Sequence, residues 1–299
     1  MPLFAVILVL ISAFMHAGWN LLLGTQPRAS YYILLRITLV IVAVGLGPAL
    51  AAEFWGTHFP AQIWLYLTLA GIFQALYQFG LVRGYQNGHF TVVYPVARSL
   101  PILLLAVIDA GRGHAPAPAA WLGLGLVLLG CMVIPLESLR GFKLSYYWNH
   151  AMIWIIVTAL GVVGYTWVDK VAAELIPAGP AAAARYGIFE FTTTTLFYWL
   201  LLKAARHPTT GPGGWLGWKV PVIGAMCFFG GYWLILWSYQ ISPQASYVVA
   251  LRQLSVVIGV TLGAILFREP APALRISASL AIVAGMACLA LAGSGLWYE

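Results

Sequence analysis

The sequence predicts an all-α integral membrane protein whose ten transmembrane helices form two inverted five-helix repeats. Of its 299 residues, 62% are hydrophobic and only 8% are charged, whereas a soluble domain carries about 25% charged residues. Too few polar groups are present to cover a soluble fold, so lipid is the expected solvent for most of the chain. The apolar runs are continuous and lack the alternation of a membrane β-barrel.

Ten segments reach the roughly 20 apolar residues that a helix needs to cross a bilayer. Short loops separate these segments, and most of the charged residues lie in the loops or near a segment end. No loop can contain a soluble domain, so the helices themselves must carry the function. The segments lie at 3–24, 31–52, 61–83, 89–109, 118–136, 149–172, 180–203, 217–240, 244–267 and 272–293.

A repeat divides the chain into two halves, residues 1–142 and 143–299. A shift of 154 residues places Arg98 on Arg252. The same shift aligns two short motifs, Tyr85-Gln86 with Tyr239-Gln240 and Pro116-Ala117-Pro118-Ala119 with Pro270-Ala271-Pro272-Ala273. Each half contains five predicted helices. Because five is odd, the second half enters the membrane from the opposite side, as in the inverted repeats of many secondary transporters.

Composition and motifs exclude several other classes of protein. The formal net charge is +7, but no lysine-rich run is present, so we expect no nucleic-acid partner. The three cysteines lie far apart in apolar segments, which argues against a disulfide framework or a zinc site. The sequence contains no HExxH, GxSxG, CxxC or P-loop motif. We therefore expect no enzyme activity, metal, cofactor or soluble partner, and only the lipid bilayer and a small-molecule substrate.

Two arginines are predicted near the middle of the membrane, Arg98 in the fourth segment and Arg252 in the ninth. A charged side chain at the bilayer centre costs roughly 2.5–3.5 kcal/mol, so it should face protein or a water-filled cavity. One interpretation is that both arginines line a central cavity and attract a carboxylate or phosphate group. The alternative is that each pairs with carbonyl groups or an acid and locks helices together.

Glu190 is the only carboxylate that lies deep within a predicted helix. A carboxylate inside the membrane can carry a coupling proton. The alternative is a plain ion pair with Arg185, Arg98 or Arg252.

Further candidate substrate-binding residues combine aromatic rings with polar groups. His16 and Asn20 are four residues apart and therefore share one helix face. Aromatic walls with a few convergent polar groups are the usual form of a small-molecule site. Core packing or an aromatic belt at the membrane interface is the alternative reading for each aromatic residue. The candidates are His16, Trp19, Asn20, Tyr77, Gln78, Tyr94 and Trp167, and Tyr165 accompanies Trp167 on the sixth segment.

Two prolines, Pro95 and Pro101, lie within the fourth segment. Each removes a backbone hydrogen bond and bends a helix. They predict a hinge next to Arg98, and the alternative is a static kink whose freed carbonyl groups are satisfied by a cavity or a neighbouring helix.

Four stretches resemble the drug/metabolite transporter superfamily, specifically its ten-helix EamA type. The stretches are Ser12-Ala13-Phe14-Met15-His16-Ala17-Gly18-Trp19-Asn20, Tyr94-Pro95-Val96-Ala97-Arg98-Ser99, Ala250-Leu251-Arg252-Gln253-Leu254-Ser255 and Gly263-Ala264-Ile265-Leu266-Phe267-Arg268-Glu269-Pro270. The resemblance covers the whole chain. It implies an inner-membrane exporter of amino acids, aromatic ones in one branch, or of other small metabolites.

The orientation of the chain has two readings. Lys and Arg residues are concentrated in one set of alternate loops, and the positive-inside rule then places both termini outside the cell. The family resemblance instead implies that both termini are cytoplasmic.

From these observations we expect a secondary transporter that moves small polar or amphipathic metabolites by alternating access, with export of amino acids as the favoured activity. One alternative is a transporter for another metabolite class. A second is an intramembrane transferase for a lipid-linked substrate, which would need a polar cluster near one membrane interface. A third is a membrane scaffold, which would not need intramembrane arginines at repeat-related positions.

Overall fold

The computed structural model describes residues 1–24, 30–87, 90–133, 136, 138, 150–207, 209, 216–258 and 272–293. Within these ranges a few side chains are not described, among them those of residues 85–87 and 90–99. The described backbone is helical with short connecting turns and contains no strand. The all-α prediction is therefore confirmed.

Ten helices run through the described residues, and most of them begin and end within about four residues of the predicted segments. They are α1 (Leu3–Gly24), α2 (Ser30–Trp55), α3 (Ala61–Asn87), α4 (Phe90–Gly111), α5 (Pro118–Val133), α6 (His150–Ala173), α7 (Pro180–Ala204), α8 (Lys219–Ile241), α9 (Ala245–Arg252) and α10 (Pro272–Gly293). A short 3₁₀ turn, Leu216–Trp218, precedes α8.

Five of the described helices are long and apolar enough to cross a membrane, which indicates a membrane protein. These spans are Leu3–Asn20, Tyr31–Trp55, Ala61–Gly84, Met152–Ala173 and Lys219–Ile241. Large apolar side chains such as Leu3, Val44 and Met226 are exposed on their outer faces. Such faces are expected where lipid replaces water as the solvent, because lipid does not penalise exposed apolar surface. Shorter apolar stretches occur at Leu100–Gly111, Pro118–Val133, Ala245–Ile258 and Ile276–Leu289.

Helix packing follows a pattern of exchanged pairs. α3 packs along α6, and α1 packs along α8. In the same way, α3 contacts α7 while α2 contacts α8, and α4 contacts α6 while α1 contacts α9. Helices that occupy the same position in the two predicted halves also meet directly, α2 with α7, α4 with α9 and α5 with α10.

α5 and α10 approach closely because each places a glycine at their crossing. A Cβ atom added to Gly123 would lie 2.7 Å from the carbonyl oxygen of Gly285. A Cβ atom added to Gly285 would lie 2.6 Å from the carbonyl oxygen of Gly123. Only glycine permits this spacing, as is common where small residues bring membrane helices together.

The ninth helix is interrupted where the sequence predicts a continuous segment over 244–267. α9 ends at Arg252, Gln253 lies in a turn, and residues 254–258 are helical again. The backbone N–H of Gln253 bonds to the carbonyl of Ala250 at 3.0 Å instead of to that of Val249. The side-chain amide of Gln253 then donates to the carbonyl of Val249 at 3.2 Å, so the freed acceptor stays paired. A glutamine at this position therefore stabilises a break directly after Arg252.

One end of the bundle, where α2, α4 and α6 finish and α7 and α9 begin, carries ion pairs that join the two halves. Glu174, just after α6, pairs with Arg112 at 2.6 Å and with Lys170 at 2.9 Å. We call these three residues the rim triad. Burial alone would raise the pKa of the Glu174 carboxyl, but Lys170 and Arg112 outweigh it and hold this pKa below its ordinary value.

A second ion pair at the same end joins α7 to α2. The Arg185 guanidinium lies 3.3 Å from the Glu53 carboxylate and donates to the carbonyls of Ala52 and Thr57 at 2.9 and 2.6 Å. It also lies 3.9 Å from the centre of the Phe59 ring. The alternative in which Arg185 pairs with Glu190 is therefore wrong, because Arg185 is already paired with Glu53.

Candidate functional site

Two carboxylates from different helices meet around one tyrosine inside the bundle. Asp169 of α6 and Glu190 of α7 are completely buried. The hydroxyl group of Tyr232, on α8, is hydrogen-bonded to Asp169 and lies 2.8 Å from Oε1 of Glu190. Tyr186 donates another hydrogen bond to Asp169 at 3.1 Å. We call Asp169 and Glu190 the carboxylate pair.

A buried arginine supplies positive charge next to this pair. Arg252, the last residue of α9, is only 3% exposed. Its guanidinium donates to the Tyr165 hydroxyl at 3.4 Å and lies within electrostatic reach of the Asp169 carboxylate. The Tyr165 ring packs edge-on against the Tyr232 ring, with 6.1 Å between their centroids. Arg252 and the carboxylate pair therefore border one buried polar region, which we call the central site.

A close crossing of α3 and α6 brings Tyr77 to the central site. The rings of Tyr77 and Tyr165 pack edge-on with their centroids 5.7 Å apart. A Cβ atom added to Gly161 would lie 2.8 Å from the carbonyl oxygen of Phe73 and 2.8 Å from the backbone nitrogen of Tyr77. Because Gly161 has no side chain, α6 lies directly against the backbone of α3 at Tyr77, and the ring of Tyr165, one turn after Gly161, can touch the ring of Tyr77.

Trp19 of α1 reaches the central site through a series of aromatic contacts. Its ring stacks on Phe228 of α8, with 4.5 Å between centroids. Phe228 packs edge-on against Phe191 at 5.1 Å, and Phe191 packs edge-on against Tyr232 at 5.6 Å. Since Phe191 packs against Tyr232, which binds both carboxylates, this aromatic layer forms one wall beside the carboxylate pair.

His16 lies on the same side of the site, against the helix that carries Tyr232. A Cβ atom added to Gly231 would lie 2.4 Å from Nδ1 of His16. The hydroxyl of Ser12, one turn earlier in α1, donates to the carbonyl of Gly231 at 2.7 Å. These contacts place α1 directly beside the backbone that precedes Tyr232.

Comparison with known proteins supports the fold. A crystal structure of another protein matches this chain with a TM-score of 0.70 and 17% sequence identity, covering 97% of this chain and 98% of the other. At this identity the similarity establishes a shared fold alone. No family model matches the chain, and no curated protein matches its sequence.

The structure brings five predicted residues to the central site or its walls, namely His16, Trp19, Tyr77, Glu190 and Arg252. Asn20 is half-buried and donates its amide N–H to the carbonyl of His16 at 2.6 Å, so this polar group is used within α1. Gln78 is buried, and neither atom of its amide has a hydrogen-bond partner among the described residues. None of the described contacts joins Gln78 to the central site.

Trp167 does not belong to the central site. Its side chain is 45% exposed, while its neighbours Thr166 and Val168 are buried. It lies on the same helix face as Ile153, Ile156 and Leu160, which are also exposed. The spacing of these residues by three, four and seven positions defines an outer apolar stripe of α6. The pocket interpretation of Trp167 is therefore wrong.

Four predicted residues lie in α4. The helix is continuous from Phe90 to Gly111 and therefore runs through both prolines. The side chains of Tyr94, Pro95 and Arg98 lie outside the described residues, and Pro101 is buried. Arg98 as a substrate ligand and the two prolines as a hinge remain predictions.

Two residues of the central site are absent from the sequence-based candidates, namely Asp169 and Tyr232. Asp169 lies near the end of its segment, which suggests an interfacial position when the segment is read alone. The available signal is local, because Asp169 lies four residues after Tyr165 and therefore on the same face of α6. Tyr232 carries no comparable signal, because only tertiary packing places its hydroxyl between two carboxylates.

The central site combines a cation, two carboxylates and aromatic rings in a buried region. The charges of this region are complementary to those of a ligand that carries both a negative and a positive group. In the described ranges, no group of three or more His, Cys, Asp or Glu side chains could bind a metal ion.

Proposed function

We propose that this protein is a secondary transporter that exports amino acids across the inner membrane by alternating access. The observation that carries the proposal is the placement of Arg252 and the carboxylate pair around one buried, tyrosine-lined region. An amino acid is a zwitterion whose carboxylate fits Arg252 and whose ammonium group fits the carboxylate pair. Buried charges interact more strongly than charges in water, so this complementarity favours binding.

The aromatic residues favour a substrate with an apolar side chain. Tyr77 and Tyr165 form one wall, and Phe191 and Phe228 form another. Aromatic pairs provide large apolar surfaces with a defined geometry. Among amino acids, those with aromatic or large aliphatic side chains therefore fit best.

The proposed topology has ten membrane spans in two inverted repeats, residues 1–142 and 143–299, as in the EamA type of drug/metabolite transporter. The exchanged helix pairs support this topology, because α3–α6, α3–α7 and α4–α6 each have a counterpart with the roles of the two halves reversed. The break after Arg252 supports it as well, because substrate sites of such transporters often include interrupted helices near the membrane midplane.

A thermal-shift experiment on the purified protein tests the proposal. Three probes differ only in their charged groups: L-phenylalanine, 3-phenylpropionate without the ammonium group, and phenethylamine without the carboxylate. We expect L-phenylalanine alone to raise the melting temperature clearly, since a ligand at 100 times its Kd adds about 2.7 kcal/mol of stability.

Variants identify the site of binding. Arg252→Ala is expected to abolish the thermal shift. Arg206→Asn is the control, because Arg206 is an exposed arginine whose φ of 56° asparagine tolerates. If none of the twenty standard amino acids shifts the melting temperature, or if Arg252→Ala keeps the shift, the proposal is wrong.

A further inference from the structure

The hydroxyl group of Tyr232 lies between two acceptors but has a single hydrogen. A tyrosine hydroxyl donates one hydrogen bond and accepts through two lone pairs, whereas an ionised carboxylate can only accept. If Asp169 and Glu190 were both ionised, Tyr232 could donate to one of them, and the other would face its lone pairs. A proton on one carboxyl resolves the conflict, because that carboxyl then donates to Tyr232 while Tyr232 donates to the other.

The other titratable side chains near the pair come from all the helices around it. Those that face the central site are His16 of α1, Tyr77 of α3, Tyr165 of α6, Tyr186 of α7, Tyr239 of α8 and Arg252 of α9. The charged groups of α2 and α4 with described contacts are engaged elsewhere, since Glu53 pairs with Arg185 and Asp109 binds the N-terminus of α9. The Arg98 side chain lies outside the described residues.

One oxygen of the pair has no donor. Oε2 of Glu190 is buried and has no hydrogen-bond partner among the described residues. A buried polar atom without a partner costs about 1–3 kcal/mol. This oxygen can accept either a proton or an N–H group of a cationic ligand.

We propose that Asp169, Tyr232 and Glu190 form a binding site for one exchangeable proton, and that the substrate ammonium group displaces this proton. The second part rests on the proposed transport of amino acids. The proton leaves a carboxyl oxygen for water, and the ammonium N–H groups then donate to the two carboxylates, so no covalent bond to carbon changes. Because proton and ammonium compete for the same oxygens, each amino acid that moves outward is exchanged for a proton that moves inward.

Infrared difference spectroscopy of the purified protein, titrated with acid and base, tests the proton site without any substrate. A protonated carboxyl has a carbonyl stretching band that a carboxylate lacks, and the chain has only eight Asp and Glu residues. We expect this band in the wild type at neutral pH. Glu190→Gln and Asp169→Asn, which keep the shape of each side chain, are each expected to remove it, whereas Glu174→Gln at the rim leaves it unchanged.

A second experiment tests the competition. In weakly buffered solution with a pH indicator, L-phenylalanine is expected to release a proton from the wild type, and 3-phenylpropionate to release none. L-phenylalanine that binds without releasing a proton overturns the competition. Absence of the infrared band, or its persistence in both carboxyl variants, overturns the proton site whatever the protein transports. A band that behaves as expected, with no amino acid binding, supports the proton site and overturns the transport proposal instead.

Discussion

Asp109, near the end of α4, holds the first turn of α9 by accepting a hydrogen bond from the backbone N–H of Ser246 at 2.8 Å. Its other carboxylate oxygen accepts from the N–H of Ala245 at 3.2 Å. The carboxylate thereby satisfies two of the N–H groups that a helix N-terminus leaves unpaired, and it lies at the positive end of the helix dipole. Since α9 ends in Arg252, a residue of the first half positions the helix that carries the buried cation of the second.

Replacement of Asp109 is therefore expected to lower stability and to loosen α9. Asp109→Ala leaves two buried N–H groups without a partner, at a cost of about 1–3 kcal/mol. Asp109→Asn keeps one acceptor oxygen and is expected to lose less. Thermal unfolding of both variants in detergent measures the difference, and equal melting temperatures for Asp109→Ala and the wild type would show that the cap contributes nothing.

The tie between Glu53 and Arg185 is expected to be a major source of stability at its end of the bundle. Both side chains are buried. Removal of one partner from a buried ion pair costs about 3–5 kcal/mol. Glu53→Ala should therefore lower the melting temperature strongly. The double variant Glu53→Ala/Arg185→Met removes the stranded charge and is expected to recover part of the loss. A double variant that is less stable than Glu53→Ala alone argues against this explanation.

The rim triad predicts a contribution to stability that depends on pH. The pKa of Glu174 is lower in the folded protein than in the unfolded chain, so its contribution is fully present above the unfolded value of about 4.3. It is lost as the pH falls through the folded pKa, because the protonated carboxyl no longer pairs with Arg112 and Lys170.

Glu174→Gln is accordingly expected to make the melting temperature depend less on pH between neutral and acidic pH. The effect is limited to below about 1 kcal/mol, because solvent screens an ion pair whose carboxylate is 39% exposed. Melting temperatures of wild type and variant, measured from neutral to acidic pH, should converge as the pH falls. Parallel curves would rule out a titrating ion pair at Glu174.

Two glycines of α5 form a matched pair for testing helix packing. Gly123→Ala would place a methyl group 2.7 Å from a backbone oxygen of α10, so it is expected to push the helices apart and lower stability. Gly125→Ala meets no atom within 4 Å and is expected to be neutral or to stabilise the helix by up to about 1 kcal/mol. Thermal unfolding separates the two, and similar losses in both variants would contradict the close approach of α5 and α10.

Helix positions were predictable from sequence because a membrane-spanning helix needs a long apolar run and keeps most of its charges near its ends or in the loops. Arg252 and Glu190 were predictable for a related reason, since a charge within such a run is costly and rarely accidental. Both the helix positions and these two charged residues can be predicted from local sequence, without knowledge of which helices touch.

The partners of these residues were not predictable, because they depend on which helices touch. Glu190 lies five residues after Arg185, yet Arg185 binds Glu53 of α2 and Glu190 meets Tyr232 of α8. For Trp167 the sequence predicts a contact that helix packing does not make. Its segment position suggests a pocket residue, whereas helix packing places it on an outer stripe. The break after Arg252 is accompanied by a side-chain hydrogen bond of Gln253, which no apolar pattern reveals.

Transport of labelled L-phenylalanine into proteoliposomes is the most direct test of the central claim that Arg252 and the carboxylate pair bind an amino acid. The wild type should show saturable uptake that other amino acids inhibit. Arg252→Ala, incorporated in equal amount, should lose tenfold or more, since hydrogen bonds to a charged group contribute about 1.5–3 kcal/mol, and Arg206→Asn should keep the wild-type rate. Uptake that equals that of empty vesicles for every amino acid tested, or an undiminished rate in Arg252→Ala, would contradict the account.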